Sequence, residues 1–387
     1  MGGADLSFPG TDGRHRGRPA GREGRGSVSA SQALPSRTRS RMPTAATAVS
    51  TQAGEYGVAT LEDVARAAGV SPMTVSRVIN GQPHVRPATR EKVLDAIGRL
   101  NYQANSVARS LRRGRTGTIG LAVPEVDRSF FGEAAAHVVA RAAEHGYRVA
   151  IEQTAATRRQ ELDAIELSRR LMYDGLILAV VELEQSDAAQ LATGYPIVVL
   201  GDRVFDAPIG HITIPNMDAA DAAVSHLLAQ GCRSIAYIGG DSDRINVQSL
   251  RAKGYFRALE RANLRSEPRR VVSPTGLDMR SGYEAAVRLI SEGIEFDGIF
   301  CINDVVAIGA LHALYERGIA VPDQVKVIGF DNITESQFSN PSLSTVDIGL
   351  GPMAVQAVDM LIEQINGLRE QREVAGPFRV IGRSSTG

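Results

Sequence analysis

From Thr118 onward the chain alternates short apolar runs with helix-length segments, and that alternation admits few folds. Thr118–Val123, Tyr147–Glu152, Gly175–Val180, Ile197–Leu200, Ser234–Ile238, Gly298–Ile302 and Val325–Phe330 read as strands. Strands apolar on both faces, separated by stretches of helical period, predict an α/β protein with parallel sheets and crossover helices. The pattern also repeats itself. Tyr173-Asp174-Gly175-Leu176-Ile177 returns as Phe296-Asp297-Gly298-Ile299-Phe300, and Val199-Leu200-Gly201-Asp202 resembles Val327-Ile328-Gly329 followed by Phe330-Asp331. Such an echo predicts two similar lobes. Ligands of open parallel sheets bind beyond the carboxyl ends of the strands, so two facing lobes make a cleft between those ends. Asp202, Asn303, Asp304 and Asp331 lie there in sequence. Asp304 reads first as a cap for the helix that follows it and only second as a ligand contact.

A chain of 387 residues exceeds one hydrophobic core, and the front of the chain is built differently from the rest. Residues 1–57 mix Arg, Gly, Pro and Ser without helical or strand period, which predicts an extension unable to bury enough apolar surface to fold. Net charge is zero, yet residues 60–115 hold ten Arg plus Lys against four acids, so the remainder is correspondingly acidic. That asymmetry points to a polyanion partner for the front of the chain. Cys232 and Cys301 both fall in apolar strand-like runs, which predicts buried thiols in a reducing compartment. With no apolar run long enough to span a bilayer and no secretory core at the amino terminus, the expected location is cytoplasmic, away from membranes.

Between residues 58 and 103 the expectation is a small all-α head. Thr60 and Asp63 form a capping-box pattern before Leu61, Val64, Ala65 and Ala68, and Gly69 ends that helix. Ser71 is a good cap and Pro72 a good first residue for a second helix, running to Asn80 before Gly81. A third helix follows Pro87 to about Leu100, with Val93, Leu94, Ile97 and Leu100 expected on one side. A small residue at Ala65 and the turn at Gly69 let two helices cross closely, with Val70, Val75 and Val78 inward. This is the helix-turn-helix arrangement. Pro72, Met73 and Arg77 would then meet base edges in the major groove of double-stranded DNA, while Thr74 and Ser76 bind phosphates. Arg77 has the fork geometry to read guanine.

The stretch from Thr60 to Asn80 resembles the DNA-binding head of the LacI (lactose repressor) family. The likeness runs on through Thr89-Arg90-Glu91-Lys92-Val93, Leu100-Asn101-Tyr102 and Asn105-Ser106-Val107-Ala108-Arg109-Ser110-Leu111. It implies a homodimeric repressor with a hinge over residues 104–115 and a two-lobed, periplasmic-binding-protein-like sensor over 116–387. In that family the hinge folds on operator DNA and a Leu wedges into the central minor groove, the position Leu111 matches. With the caps and the hinge, the DNA-contacting set is Thr60, Ser71, Pro72, Met73, Thr74, Ser76, Arg77, Asn80, Tyr102, Asn105, Ala108 and Leu111. The resemblance also implies that Arg251, Asn303 and Asp331 hydrogen-bond a small effector, a sugar or sugar derivative. Asp202, beside Arg203, is a weaker candidate, and Phe130 or Phe131 could stack on the ligand or belong to the core. Two departures stand out: Arg86 where a small cap is usual, and Arg128-Ser129 where Asn-Pro usually precedes the aromatic pair.

Other classes lack the residues they need. A Gly-x-Gly-x-x-Gly turn after the first strand, an HExxH, a GxSxG elbow and a CxxC pair are all missing from the sequence, so it calls for no cofactor, metal or catalytic role. A secreted solute-binding protein, and after it a sugar-modifying α/β enzyme, are the alternatives.

Overall fold

A computed structural model describes residues 59–79, 81–102, 115–202, 207, 209–240, 242, 245–368 and 372–387. The hinge residues Asn105–Leu111 lie outside them, as do residues 1–57 and Asn80.

The head is three helices around six buried side chains. Helix α1 (Leu61–Ala68) opens on the expected capping box: Thr60 Oγ1 accepts from the Asp63 N–H at 3.2 Å, and the Asp63 carboxylate accepts from the Thr60 N–H at 3.0 Å. Gly69 closes it in the left-handed region, at φ 66°, where a side chain would be strained. Helix α2 (Pro72–Ile79) follows at once, with Ser71 Oγ accepting from the Thr74 N–H at 3.2 Å. Helix α3 (Pro87–Arg99) begins at Arg86 without a side-chain cap, as its sequence implies. Val64, Ala65, Val75, Val78, Val93 and Ala96 form the core, with Val70, Ile97 and Tyr102 partly buried against it. One expectation fails here. Leu94 and Leu100 are exposed, because α3 turns Val93, Ala96 and Ile97 toward the other two helices.

Two lobes follow. The first sheet is entirely parallel, in the order β2 (Arg148–Gln153), β1 (Thr118–Val123), β3 (Leu176–Ala179), β4 (Ile197–Leu200), β5 (Gly210–Thr213), β11 (Arg372–Ala375). The second runs β7 (Val271–Val272), β6 (Ile235–Ile238), β8 (Gly298–Cys301), β9 (Lys326–Ile328), also parallel, beside an antiparallel pair β10 (Thr345–Asp347) and β12 (Arg379–Ile381). All seven expected strands are present. The chain crosses between the lobes after β5, after β10 and after β11. Helices α4 (Ser129–Glu144), α5 (Arg158–Arg170), α6 (Ala188–Leu191) and α12 (Leu350–Ile365) belong with the first sheet, and α7 (Asn216–Ala229), α8 (Val247–Arg261), α9 (Met279–Ser291) and α10 (Asp304–Glu316) with the second. The short α11 (Glu335–Phe338) follows β9. α9 and α10 touch backbone to backbone: a methyl on Gly309 would run into the Met279 carbonyl.

The repeated pentapeptide has a mechanical meaning. Asp174 accepts from the N–H groups of Thr116 and Gly117, both at 2.8 Å, where β1 begins. Asp297 does the same for Arg233 and Ser234, at 2.7 and 2.8 Å, where β6 begins. Each carboxylate thus satisfies two strand-entry donors that would otherwise be left open at the floor of its sheet. Both cysteines are buried thiols; burial pushes Cys232 up to about 11 and Cys301 further still. Among the described residues no helix is long and apolar enough to cross a membrane, and no cluster of side chains could hold a metal ion.

Candidate functional site

On the head, the outer flank of α2 carries the expected readers. Pro72, Met73 and Arg77 are exposed, Met73 by 65% although it is apolar, while Val75 and Val78 on the same helix are buried. Burial therefore divides α2 into a packing side and an unpacked side that keeps Met73 and Arg77 together. Thr74 and Ser76 are half-buried, and the Thr74 hydroxyl lies 2.9 Å from that of Ser71. Thr60 spends its hydroxyl on the capping box of α1, and Tyr102, beyond the end of α3, packs on the head core, so neither belongs to α2. Asn80, Asn105, Ala108 and Leu111 lie outside the described residues.

In the sensor, a cavity of about 300 Å³ lies between the lobes, and Phe130, Phe131, Asp202, Arg251, Asn303 and Asp331 all line it. Six residues scattered over two hundred positions of sequence thus converge on one space. Asp202 follows β4, Asn303 follows β8 and Asp331 follows β9, which is the strand-end placement the topology requires.

Arg251, on the second turn of α8, organises the polar wall. It is 4% exposed; its Nε donates to Asn216 Oδ1 at 2.7 Å, Nη1 donates to the Ile302 carbonyl and Nη2 reaches Asp331 Oδ1 at 3.4 Å. Its guanidinium lies over the Phe330 ring, 3.5 Å from the centroid. Asn216 donates in turn to Asp202. A continuous chain Asp202–Asn216–Arg251–Asp331 therefore spans the cleft from one lobe to the other. Burial, opposed by Arg251 and reinforced by Asp202, raises Asp331 to about 6. Asp331 sits at φ 105°, outside the usual range for a non-glycine residue.

One reading is corrected here. The cap of α10 is Asn303, whose Oδ1 accepts from the Val306 N–H at 2.8 Å, leaving its amide N–H₂ for other partners. Asp304 is fully buried and holds the β9–β10 region instead, accepting from Ser336 Oγ and Thr345 Oγ1 at 2.6 Å each and from the Ile333 N–H at 3.0 Å. Burial beside Asp331 raises it to about 7. Phe130 and Phe131 meet edge to face at 5.1 Å, and both line the cavity while packing on the main core. The unusual Arg128-Ser129 is accommodated by new partners: Arg128 pairs with Glu125 and Ser129 donates to Glu335. Arg203 lies outside the described residues.

Sequence reasoning missed Asn216 and Asn246. Asn216 begins α7 just after the first lobe crossing, and Asn246 caps α8 while lining the cavity. A signal existed for the second, since Asn246 and Ser249 form a capping-box pair. Asn216→Ala would leave the Arg251 Nε–H without its acceptor and Asp202 without this donor. The expected result is a loss of about 1–3 kcal/mol in a denaturant titration, together with a weaker effect of ligand on DNA affinity.

Residues 60–105 match the family model described as bacterial regulatory proteins, lacI family, and residues 224–386 match that of the periplasmic binding protein-like domain. The transcriptional repressor PurR of Histophilus somni is 31% identical over 82% of this chain and 95% of its own length. Catabolite control protein A of Priestia megaterium is 31% identical over 84% and 99%. Among solved structures, the lac repressor dimer bound to operator and the anti-inducer ONPF superposes with a TM-score of 0.76 at 28% identity, over 85% of this chain and 99% of that one. A LacI-family regulator from Sanguibacter keddieii is 40% identical, with a TM-score of 0.66 over 71% of this chain and all of the other. A helix-turn-helix head, two parallel-sheet lobes and relatives that match over nearly their whole length leave one assignment: the chain belongs to the LacI family of transcriptional regulators and is a DNA-binding, effector-responsive repressor, not an enzyme.

Proposed function

We propose that this repressor acts in the cytoplasm as a homodimer, reading a two-fold operator through two copies of α2 and changing its operator affinity when a sugar-like effector enters the cleft. The convergence of Phe130, Phe131, Asp202, Arg251, Asn303 and Asp331 on one cavity carries the sensing half of this reading. On the head, Pro72, Met73 and Arg77 meet base edges, Thr74 and Ser76 take phosphates, and Leu111 of the hinge wedges the minor groove. Residues 58–103 are the reader, 104–115 the hinge and 116–387 the sensor. One recognition helix covers only a half-site, so a second copy related by a two-fold axis completes the operator.

The polar chain Asp202–Asn216–Arg251–Asp331 gives the sensing a physical route. A ligand that bonds both lobes favours the lobe arrangement in which both contacts exist, and only that differential affinity can shift the DNA-binding equilibrium. Selection of bound sequences from random duplexes tests the reader; a two-fold symmetric consensus is expected, and retention of no preferred sequence over bulk competitor would end the proposal. Lac repressor was solved with both operator and an anti-inducer bound, and the regulator CelR with cellobiose, which supports pairing the two ligand types here.

The wall should also titrate. Because Asp331 lies near 6, it loses its charge as pH falls from 7 to 5, and an effector hydroxyl then meets a neutral carboxyl, a weaker acceptor than the carboxylate. Effector affinity should rise with pH through about 6 and then level off. Calorimetric titration between pH 5 and 8 checks this, and Asp331→Asn should flatten the profile. The sign for stability is opposite: the folded state holds this proton better than the unfolded chain, so its contribution falls as pH climbs from about 4 to 6.

A further inference from the structure

Asp331 and Asn332 are consecutive residues with positive φ, 105° and 54°, in the turn that follows β9. Asn tolerates the left-handed region, but an Asp at 105° lies outside it, and such a turn persists only where its surroundings over-determine it. The turn aims a side chain. A return of Asp331 to negative φ would swing its Cα–Cβ bond, and with it the carboxylate, away from Arg251 and the cavity. Three successive N–H groups are held in place: Asp331 donates to the Val346 carbonyl at 2.9 Å, Asn332 to Thr345 Oγ1 at 3.2 Å and Ile333 to Asp304 Oδ2 at 3.0 Å. A side-chain grip on the same turn comes from 51 residues further along the chain. Arg383, two residues past β12, is half-buried; its Nη2 donates to Asn332 Oδ1 and its Nη1 to the Leu343 carbonyl, both at 2.6 Å. Arg383 is itself fixed, since its own N–H donates to Ser344 Oγ at 2.7 Å and the Val327 N–H of β9 donates to the Ser385 carbonyl at 2.9 Å. Residues 383–385 therefore lie along β9 and reach the turn at its end.

Resting on the sensing role proposed above, we infer that Arg383 is a positioning residue of the effector site, pinning through Asn332 the turn that presents Asp331 to the ligand. Arg383 is not a lining residue of the cavity, so it acts only through that turn. A charge-assisted hydrogen bond biases such a local equilibrium by about 10- to 150-fold. Where the turn is set correctly in only a fraction of the molecules, apparent effector affinity falls by that fraction.

The test uses the full protein as Arg383→Gln, Asn332→Gly and the double variant. Glycine adopts φ 54° without strain, so Asn332→Gly breaks the same bond while suiting the backbone. Hydrogen exchange is followed first, by mass spectrometry and without ligand. In Arg383→Gln, peptides holding residues 331–333 should exchange at least about tenfold faster, and peptides from β1 and β8 less than about threefold faster. Unchanged protection of 331–333 overturns the inference. An equal rise in both lobes overturns it too, because Arg383 would then serve the whole fold and not the turn. Glucose, galactose, ribose, gluconate and cellobiose are then titrated by calorimetry, with operator affinity read in parallel. A sugar that binds should do so about tenfold more weakly in Arg383→Gln, and adding Asn332→Gly should cost less than about twofold more, since both changes remove one bond. Effects that multiply in the double variant, or wild-type affinity in Arg383→Gln, overturn the inference. Should Arg383→Gln fail to fold, Asn332→Gly alone carries the exchange and affinity readouts with the same limits. The two proposals fail differently: a set in which no sugar binds or shifts operator affinity removes the sugar-sensing reading, and the exchange result still decides the turn. A sugar that binds and shifts operator affinity equally in wild type and Arg383→Gln removes Arg383 and keeps the sensor.

Discussion

Arg251→Ala should abolish the effector response and lower the unfolding free energy by about 3–5 kcal/mol, the usual cost of removing one member of a buried charged pair. The side chain has three hydrogen-bonding duties and an aromatic contact in one buried place: the Asn216 amide, the Ile302 carbonyl, Asp331 and the Phe330 ring. Truncation leaves a carboxylate, an amide oxygen and a carbonyl facing a void. Asp331 softens the blow because it can take up a proton near neutral pH, so the loss should be greater at pH 8 than at pH 5.5. Arg251→Lys separates the two roles. An ammonium can keep the ion pair but cannot serve Asn216, Ile302 and Asp331 from one plane. Most of the stability should return while the effector response stays impaired; denaturant titration and operator binding with and without ligand read the two effects. Full restoration of the response by Lys would mean that charge alone, and not the fork, serves the site.

How far the residues announced this site depends on whether the information is local. The capping box at Thr60 and Asp63, the apolar strand runs and the Asp174/Asp297 repeat are local patterns, and each appears in the fold as read. Strand β5 was not legible: Gly210-His211-Ile212-Thr213 is short, begins with glycine and carries a buried imidazole, His211, that bonds the Gly201 carbonyl at 3.0 Å. Strand β11 is harder still, because Arg372–Ala375 reads as a polar turn until the chain has returned to the first sheet beside β5. The cap expected of Asp304 fell to Asn303 for a similar reason. Either side chain can cap a helix, and only the tertiary placement of Ser336 and Thr345 around Asp304 decides which one does. Leu94 and Leu100 obey helical spacing yet stay exposed, since periodicity identifies a face without supplying a neighbour to cover it. Asn216 was invisible because its importance lies in joining Asp202 to Arg251, residues on either side of it in sequence and in different lobes.

The reader of the operator gives the other large effect. Arg77→Ala should weaken binding to the selected operator by about 5- to 150-fold for each head, corresponding to about 1–3 kcal/mol per bidentate base contact, and the factors multiply when both heads of a dimer carry the change. Thermal stability should barely move, because Arg77 is exposed on the flank of α2 opposite Val75 and Val78. The mode of contact can be read from two further measurements. A guanidinium that reads guanine gives up discrimination at one position of each half-site when removed. A guanidinium that only holds a phosphate weakens all sequences alike and reduces the slope of log affinity against log salt by about one per head. Base reading is the outcome expected here, since Met73 beside it is an exposed apolar side chain suited to a thymine methyl, which places this part of α2 against base edges and not against the charged backbone. Repeating the sequence selection with the Ala variant, at two salt concentrations, separates the cases: an unchanged consensus with a smaller salt slope would move Arg77 from the bases to the phosphates.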